Sequence, residues 1–160
     1  MTATLLILAL NEIVGLQRIA PRIKREQFEQ IILLDGGSTD GTVEYAEALG
    51  WEIHHQQRRG GVRMALVEAY PKVRGDVIVT FSPDGNCIFE LLPTVLAAMH
   101  GDVDMVIVSR YAPGARSYDD TAFTRLGNWL LTALTNILFG GDYTDALSMF
   151  RAYKWDVPKR

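Results

Sequence analysis

The chain has 160 residues, of which 48% are hydrophobic and 22% are charged, and its formal net charge is −3. These values predict one globular domain over residues 1–160, and the negative charge argues against a nucleic-acid-binding protein, which needs a basic face. The single cysteine, Cys87, excludes an internal disulfide and a cysteine-based zinc site, and it favours a reducing, cytoplasmic compartment. The opening MTATLLILALNE lacks the basic segment of a signal peptide, and no stretch reaches the roughly 18 apolar residues of a membrane span.

Strands and helices are predicted to alternate along the whole chain. Continuous apolar runs predict strands at 4–10, 31–34, 51–54, 76–81 and 104–108. Helical patterns occupy 12–25, 39–49, 62–73, 89–100 and 123–139, with Pro21 interrupting the first of them and Pro71 the third. Because the two kinds of element alternate, we predict an α/β fold with a mostly parallel central sheet and helices on both faces.

The segment 31–42, IILLDGGSTDGT, is the most informative stretch. Four apolar residues end at Asp35, as expected of a strand buried on both faces, and two glycines then permit a tight exit from that strand. Ser38, Thr39 and Asp40 are candidates to cap the following helix. A strand, an acid at its carboxyl end, a glycine turn and a helix together form one edge of the ligand crevice in an open α/β sheet.

Polar side chains also follow other predicted strands, at the edge where ligands bind in such sheets. They are Asn11, Glu12, Asp84, Asn86, Ser109 and Arg110. Asp84 and Asn86 are two residues apart in a Pro-Asp-Gly-Asn turn, so that both oxygens can face one point, and such oxygens bind Mg²⁺ or Mn²⁺. The same four residue types also form ordinary β-turns, which leaves a purely structural interpretation open.

Three arginines, Arg110, Arg116 and Arg125, lie in or near the polar region that follows the last predicted strand. Guanidinium groups bind phosphate oxygens in a bidentate manner. A divalent ion beside arginines is suited to a diphosphate leaving group, because both kinds of group stabilise the negative charge that develops on it.

Five segments occur in the order seen in glycosyltransferase family 2: LDGGSTDGT, RRGGVRMAL, FSPDGN, VSRY and TRLGN followed by SMFRAY. The chain resembles most the dolichyl-phosphate mannosyltransferase and polyprenyl-phosphate sugar transferase branch, from about Leu5 to Tyr153. This resemblance implies a three-layer, Rossmann-like GT-A fold and a UDP- or GDP-sugar donor. It also implies dependence on Mg²⁺ or Mn²⁺ and an inverting transfer to a lipid phosphate or a glycan.

The resemblance also implies a role for each residue that matches a family motif. Those expected to bind the nucleotide sugar are Asn11, Glu12, Asp35, Gly61 and Asp84. Those expected to bind the metal are Asp84 and Asn86, and those expected to bind phosphate are Arg110 and Arg125. Asp145 is the expected catalytic base, with Asp119 and Asp120 as the other candidates. A phosphate acceptor needs no base, because it is already largely dianionic at neutral pH.

Five positions depart from the family pattern. Leu8 and Leu10 replace a proline and a tyrosine, and Gly36 replaces a second acid that helps relatives to read the base. Ser82 replaces the first metal-binding acid, and Met149 replaces a glycine. The changes at Gly36, Ser82 and Met149 favour an alternative function, a non-catalytic relative that binds a nucleotide or a protein partner. A nucleotidyltransferase is a third interpretation, but the segment ALNEIVGLQR lacks the glycine-rich basic loop that follows the first strand of those enzymes.

The helix predicted at 123–139 is apolar over much of its surface. We expect it to pack on the sheet as a core helix. The alternative is an interfacial helix in peripheral contact with a membrane, next to a polyprenyl tail, which would place the protein at the inner face of that membrane. The relatives in this branch usually continue with further helices, so the resemblance implies a compact or truncated C-terminus.

Overall fold

Strands and helices alternate along the chain, as predicted. A computed structural model describes residues 1–112, 114–115 and 121–157. In chain order the elements are β1 (Ala3–Ala9), α1 (Ile13–Ile19), β2 (Gln30–Asp35), α2 (Thr42–Ala48), β3 (Glu52–His55), α3 (Gly61–Ala69), β4 (Val77–Phe81), α4 (Leu92–Ala98), β5 (Met105–Ile107), α5 (Ala122–Phe139) and β6 (Arg151–Lys154).

The six strands form one sheet in the order β3-β2-β1-β4-β6-β5. The pairs β1–β2, β1–β4 and β2–β3 are parallel, whereas β6 lies antiparallel between β4 and β5. The prediction of a mostly parallel sheet is therefore confirmed. β6 was not predicted, because a four-residue strand with the sequence RAYK has no apolar run that marks it.

The strands separate two hydrophobic clusters, because successive side chains of a strand point to opposite faces. Leu5 and Ile7 of β1 join the first cluster with residues of α1, α2 and α4. Leu6 and Leu8 join the second cluster with residues of α3. Helices therefore cover both faces of the sheet, and every residue of β1, β2 and β4 is buried.

Several helices are shorter than predicted, for local reasons. α1 and α3 each give way to a 3-10 turn that contains Pro21 or Pro71, because proline cannot supply the next helical hydrogen bond. α2 begins at Thr42 and not at residue 39. Of the three predicted caps, Asp40 is the one that serves the helix ends, since its carboxylate accepts from the backbone amides of Thr42 and Ile13.

α5 is oriented opposite to the prediction of a core helix. Its buried side chains are Asn128 and Thr132, which are polar, whereas Phe123 is 84% exposed and Ile137 is 80% exposed. The core prediction was wrong because the apolar side of this helix is exposed and its polar side is buried. Within the described residues, no helix has both the length and the apolar character that crossing a bilayer requires.

Candidate functional site

Asn11 joins the loops that follow β1 and β2. It has a positive φ of 57°, a conformation that asparagine tolerates better than most residues. Its backbone amide donates to Ser38 Oγ at 2.9 Å, and its side-chain Oδ1 accepts from the Thr39 amide at 2.8 Å. These hydrogen bonds hold the two loops side by side at the predicted edge of the sheet.

The carboxylate of Asp35 lies below this edge and is 3% exposed. Its oxygens are 2.9 Å from the Ser38 amide and 3.0 Å from His55 Nδ1. Burial by itself would raise the pKa of Asp35, but the hydrogen bonds from Ser38, His55 and Gly37 together hold it below its usual value. Asp35 is therefore a charged anchor for the loop.

A cavity of about 600 Å³ opens at the carboxyl ends of β1 and β2. Three of the residues predicted to bind the nucleotide sugar line it: Glu12, Gly61 and Asp84. Leu34 and Gly36, on either side of Asp35, also line it. The loop before α3 supplies further lining residues: Arg58 and Arg59, which begin the family segment RRGGVRMAL, and Gln56 and Gln57, which were not predicted from the sequence.

Two acids, Glu12 and Asp84, line this cavity. Burial raises the pKa of Glu12, and the nearby charges of Asp84 and Asp40 raise it further. A divalent cation would relieve this repulsion, so the residues present fit such an ion. Across the described ranges, however, no cluster of three or more His, Cys, Asp and Glu side chains is arranged to bind a metal. The described residues therefore supply only part of a coordination shell, as is common for Mg²⁺ with phosphates.

A second cavity, of about 140 Å³, adjoins the first. Ser82, Asp84 and Met149 line both cavities, whereas Asn86 and Arg110 line the second one. Asp84 therefore lies where the two cavities meet. A ligand that extended into both cavities would pass next to its side chain. Its Oδ1 also accepts from the Asn86 amide at 2.9 Å, which fixes the turn between them.

Arg110 is held by Asp145 through three hydrogen bonds. Arg110 Nε and its backbone amide donate to Oδ2 at 2.8 and 3.2 Å, and Nη2 donates to Oδ1 at 3.2 Å. Asn128 Nδ2 donates to the same Oδ1 at 3.2 Å. Burial of Asp145 would raise its pKa, but the bonds from Arg110 and Asn128 reverse that effect, and the pKa lies below its usual value. Such a carboxylate is better suited to orient Arg110 than to remove a proton.

Arg125 lies near Arg110, since both guanidinium groups approach the ring of Tyr111, at 6.0 and 5.5 Å from its centroid. Arg125, Tyr111 and Asn128 line a third cavity, of about 350 Å³, against the polar side of α5. The two predicted phosphate-binding arginines therefore come together. Arg116, Asp119 and Asp120, also considered from the sequence, lie outside the described residues.

A comparison with known protein families shows to which family the chain belongs. The model of the family described as "Glycosyl transferase family 2" matches residues 4–156. The chain belongs to glycosyl transferase family 2. This membership confirms the resemblance inferred from the five sequence segments.

Similar proteins point to the same branch of family 2. The chain is 27% identical over 146 residues to the glycosyltransferase AglJ of Haloferax volcanii, covering 89% of this chain and 47% of that protein. It is 29% identical over 156 residues to the undecaprenyl-phosphate mannosyltransferase of Micrococcus luteus, covering 92% of this chain and 64% of that protein. The family 2 chain thus spans about half to two thirds of the length of these relatives.

A solved structure supports the fold. Glucosyl-3-phosphoglycerate synthase from Mycobacterium tuberculosis, in complex with Mn²⁺, uridine-diphosphate and phosphoglyceric acid, is 25% identical, with a TM-score of 0.76. The match covers 97% of this chain and 56% of the synthase. The structural neighbours are GT-A glycosyltransferases, so the predicted fold class is confirmed.

Proposed function

We propose that this chain is the donor-binding catalytic domain of an inverting glycosyltransferase. It moves a sugar from a UDP- or GDP-sugar to a polyprenyl phosphate, with Mg²⁺ or Mn²⁺ bound. The observation that carries the proposal is the position of Asp84, which lines both the 600 Å³ cavity and the adjoining 140 Å³ cavity that contains Arg110. The large cavity has room for a nucleotide, and the small one lies where the transferred sugar would follow.

The metal would bind at the junction of the two cavities. Asp84 and Asn86 would hold it together with the donor diphosphate and water, and Ser82 would contribute only a neutral oxygen. When bound, the ion supplies positive charge that stabilises the diphosphate leaving group. Arg110, fixed by Asp145, would add a guanidinium on the other side of the same phosphates.

A lipid phosphate acceptor fits the third cavity better than a sugar hydroxyl does. Arg125 lines that cavity and provides a cation, and a phosphate dianion can attack without a general base. The Asp145 carboxylate would then act as a positioning group, in place of the proton acceptor predicted from the family motif. A glycan acceptor is the competing possibility, and it would require a free base.

The exposed apolar side of α5 would rest on the membrane that carries the acceptor. Trp129, Leu134 and Leu138 are 65%, 48% and 64% exposed, and α5 also lines the cavity that contains Arg125. Flotation with vesicles that contain polyprenyl phosphate tests this contact. We expect Leu138→Glu to reduce binding to the vesicles, whereas Glu47→Gln on the distant, exposed part of α2 should not. Equal binding of both variants would contradict the proposed contact.

The enzymatic test uses labelled UDP- and GDP-sugars with a polyprenyl phosphate, in Mn²⁺, in Mg²⁺ and in a chelator. We expect metal-dependent transfer, and we expect Asp84→Asn to reduce the rate at least about 100-fold, which corresponds to roughly 2.7 kcal/mol. Asp102→Asn, an exposed acid in the turn before β5, is the matched control and should not change the rate.

Two results would oppose the proposal. Nucleotide binding without any transfer would favour the non-catalytic relative. Equal activity of Asp84→Asn and the wild-type protein would remove the proposed role of Asp84.

A further inference from the structure

The loop between β3 and α3 carries part of the proposed donor cavity, and within it the Gln56 side chain donates to the carbonyl oxygens of Arg58 and Gly61. Gln56, Arg58 and Arg59 of this loop line the 600 Å³ cavity. The loop ends at Gly60 and Gly61, whose φ angles are 146° and 60°. Because glycine has no strong preference between such conformations, contacts from outside the loop should help to define its position.

Glu68 of α3 provides that contact. Its Oε2 accepts from the Gln57 amide and its Oε1 accepts from the Arg58 amide, each at 2.9 Å. The carboxylate thus binds two consecutive backbone amides of the loop, one with each oxygen. These two hydrogen bonds and one from His54 hold the pKa of Glu68 below its usual value, so the charged form that accepts them is favoured.

Two further side chains hold Glu68 in place. His54 Nε2 lies 3.1 Å from Glu68 Oε2, and Lys72 Nζ lies 2.8 Å from His54 Nδ1. An ammonium group can only donate, so Nδ1 must accept, and Nε2 then carries the proton that it donates to Glu68. The side chains of His54 and Glu68 are only 7% and 12% exposed, which limits competition from water.

We propose that Glu68 is a positioning residue for donor binding, and that Lys72, His54 and Glu68 form a brace that fixes the loop at 57–61. The brace connects α3 and the 3-10 turn after it to the wall of the donor cavity. The identity of the ligand rests on the proposed function, whereas the order of the loop does not. Neither the family match nor the sequence motifs assign a role to Glu68.

Limited proteolysis tests the brace independently of the ligand. Arg58 and Arg59 make the loop a trypsin site, and local opening sets the rate of cleavage there. Glu68→Gln has a single acceptor oxygen and places an amide NH₂ against a backbone donor. We therefore expect cleavage after Arg58 or Arg59, identified by fragment mass, to be about tenfold faster than in the wild-type protein. Glu47→Gln on α2 is the control, and cleavage at other sites should not change.

Kinetics test the link to donor binding. We expect Glu68→Gln to raise the KM for the donor about tenfold, with kcat within about twofold of wild type and an unchanged KM for the acceptor. Lys72→Gln leaves Glu68 in place and should raise the KM for the donor by a smaller factor. If Glu68→Gln does not fold, Lys72→Gln is the variant that tests the proposal.

The two experiments separate the failure of the brace from the failure of the proposed function. Unchanged cleavage at Arg58 and Arg59 in folded Glu68→Gln overturns the brace, whatever the protein binds. Faster cleavage in a protein with no transferase activity keeps the brace and rejects the proposed reaction. Faster cleavage with an unchanged donor KM overturns the positioning role.

Discussion

The two parts of the molecule are stabilised by different contacts. From β1 to β4, apolar side chains such as Leu33 are completely buried between the layers. From β5 onward, the buried side chains that α5 contributes are polar, and Asn128 donates to the buried carboxylate of Asp145. Apolar residues of α5 such as Leu138 remain exposed. The part from β1 to β4, which contains the proposed donor site and is here called the donor part, therefore has an apolar core. In the part from β5 onward, which contains the proposed acceptor cavity and is here called the acceptor part, α5 is held by polar contacts with one carboxylate, that of Asp145.

Removal of that carboxylate should have the largest effect. Asp145→Asn removes the charge that pairs with Arg110 and one of the two oxygens that accept from Arg110 and Asn128, and loss of one partner of a buried ion pair costs about 3–5 kcal/mol. We expect the midpoint of urea unfolding, followed by circular dichroism, to fall accordingly, and transferase activity to fall with it. Asp142→Asn, an exposed acid in the same loop, is the control. An unchanged midpoint in Asp145→Asn would contradict the assignment of Asp145 as the organising group.

Replacement of a leucine by alanine should lower the free energy of unfolding by different amounts in the two parts. Leu33→Ala removes a fully buried side chain of β2 and should reduce the free energy of unfolding by about 2–5 kcal/mol. Leu138→Ala removes a side chain that is 64% exposed. It should change that free energy by less than about 0.5 kcal/mol, as surface substitutions usually do. If chemical denaturation gives equal losses, the exposed side of α5 is covered in solution.

Two helical glycines, one in each part, differ in the space around them, and their substitution should have smaller effects than those above. A Cβ at Gly15 of α1 would lie 2.0 Å from the backbone oxygen of Pro83, next to Asp84, whereas a Cβ at Gly127 of α5 would meet nothing within 4 Å. We expect Gly15→Ala to displace the 82–86 turn and lower metal-dependent donor binding by at least about tenfold, or roughly 1.4 kcal/mol.

Gly127→Ala is the comparison for that substitution. It should leave donor binding unchanged and stabilise the helix by up to about 1 kcal/mol. Calorimetric titration and thermal unfolding measure both variants, and equal donor affinity in the two would argue against the close contact of α1 with the turn.

Acid should weaken both parts, and this is the smallest effect. The pKa values of Asp35 in the donor part and Asp145 in the acceptor part are lowered by folding, so their stabilisation is complete above the unfolded pKa of about 3.9. It is lost as the pH falls below that value towards the folded pKa of each group. We expect the free energy of unfolding to decrease below about pH 4 and to decrease less steeply in Asp35→Asn and Asp145→Asn. Identical slopes in all three proteins would contradict the lowered pKa values.

The sequence predicted the donor part better than the acceptor part, for physical reasons. β1, β2 and β4 are buried on both faces, so a continuous apolar run is enough to identify each of them. The pattern of α5 shows which of its sides is apolar but not which side meets the protein, and here the polar side of Asn128 and Thr132 does.

The candidate site shows the same limit. Family motifs placed Asp84, Asn86 and Arg110, which the structure brings to adjoining cavities, although their roles remain predictions. Glu68 could not be found in this way, because its contacts with Gln57 and Arg58 depend on how a loop folds back over a helix.

The position of β6 has a consequence for synthesis of the protein on the ribosome. Until residues 151–154 have emerged, the nascent chain has no partner to place between β4 and β5, and both strands expose free backbone amides and carbonyls. Such open edges invite pairing with other chains. The nascent protein is therefore expected to remain prone to aggregation until this segment has been translated, even though most of its hydrophobic residues have already been synthesised.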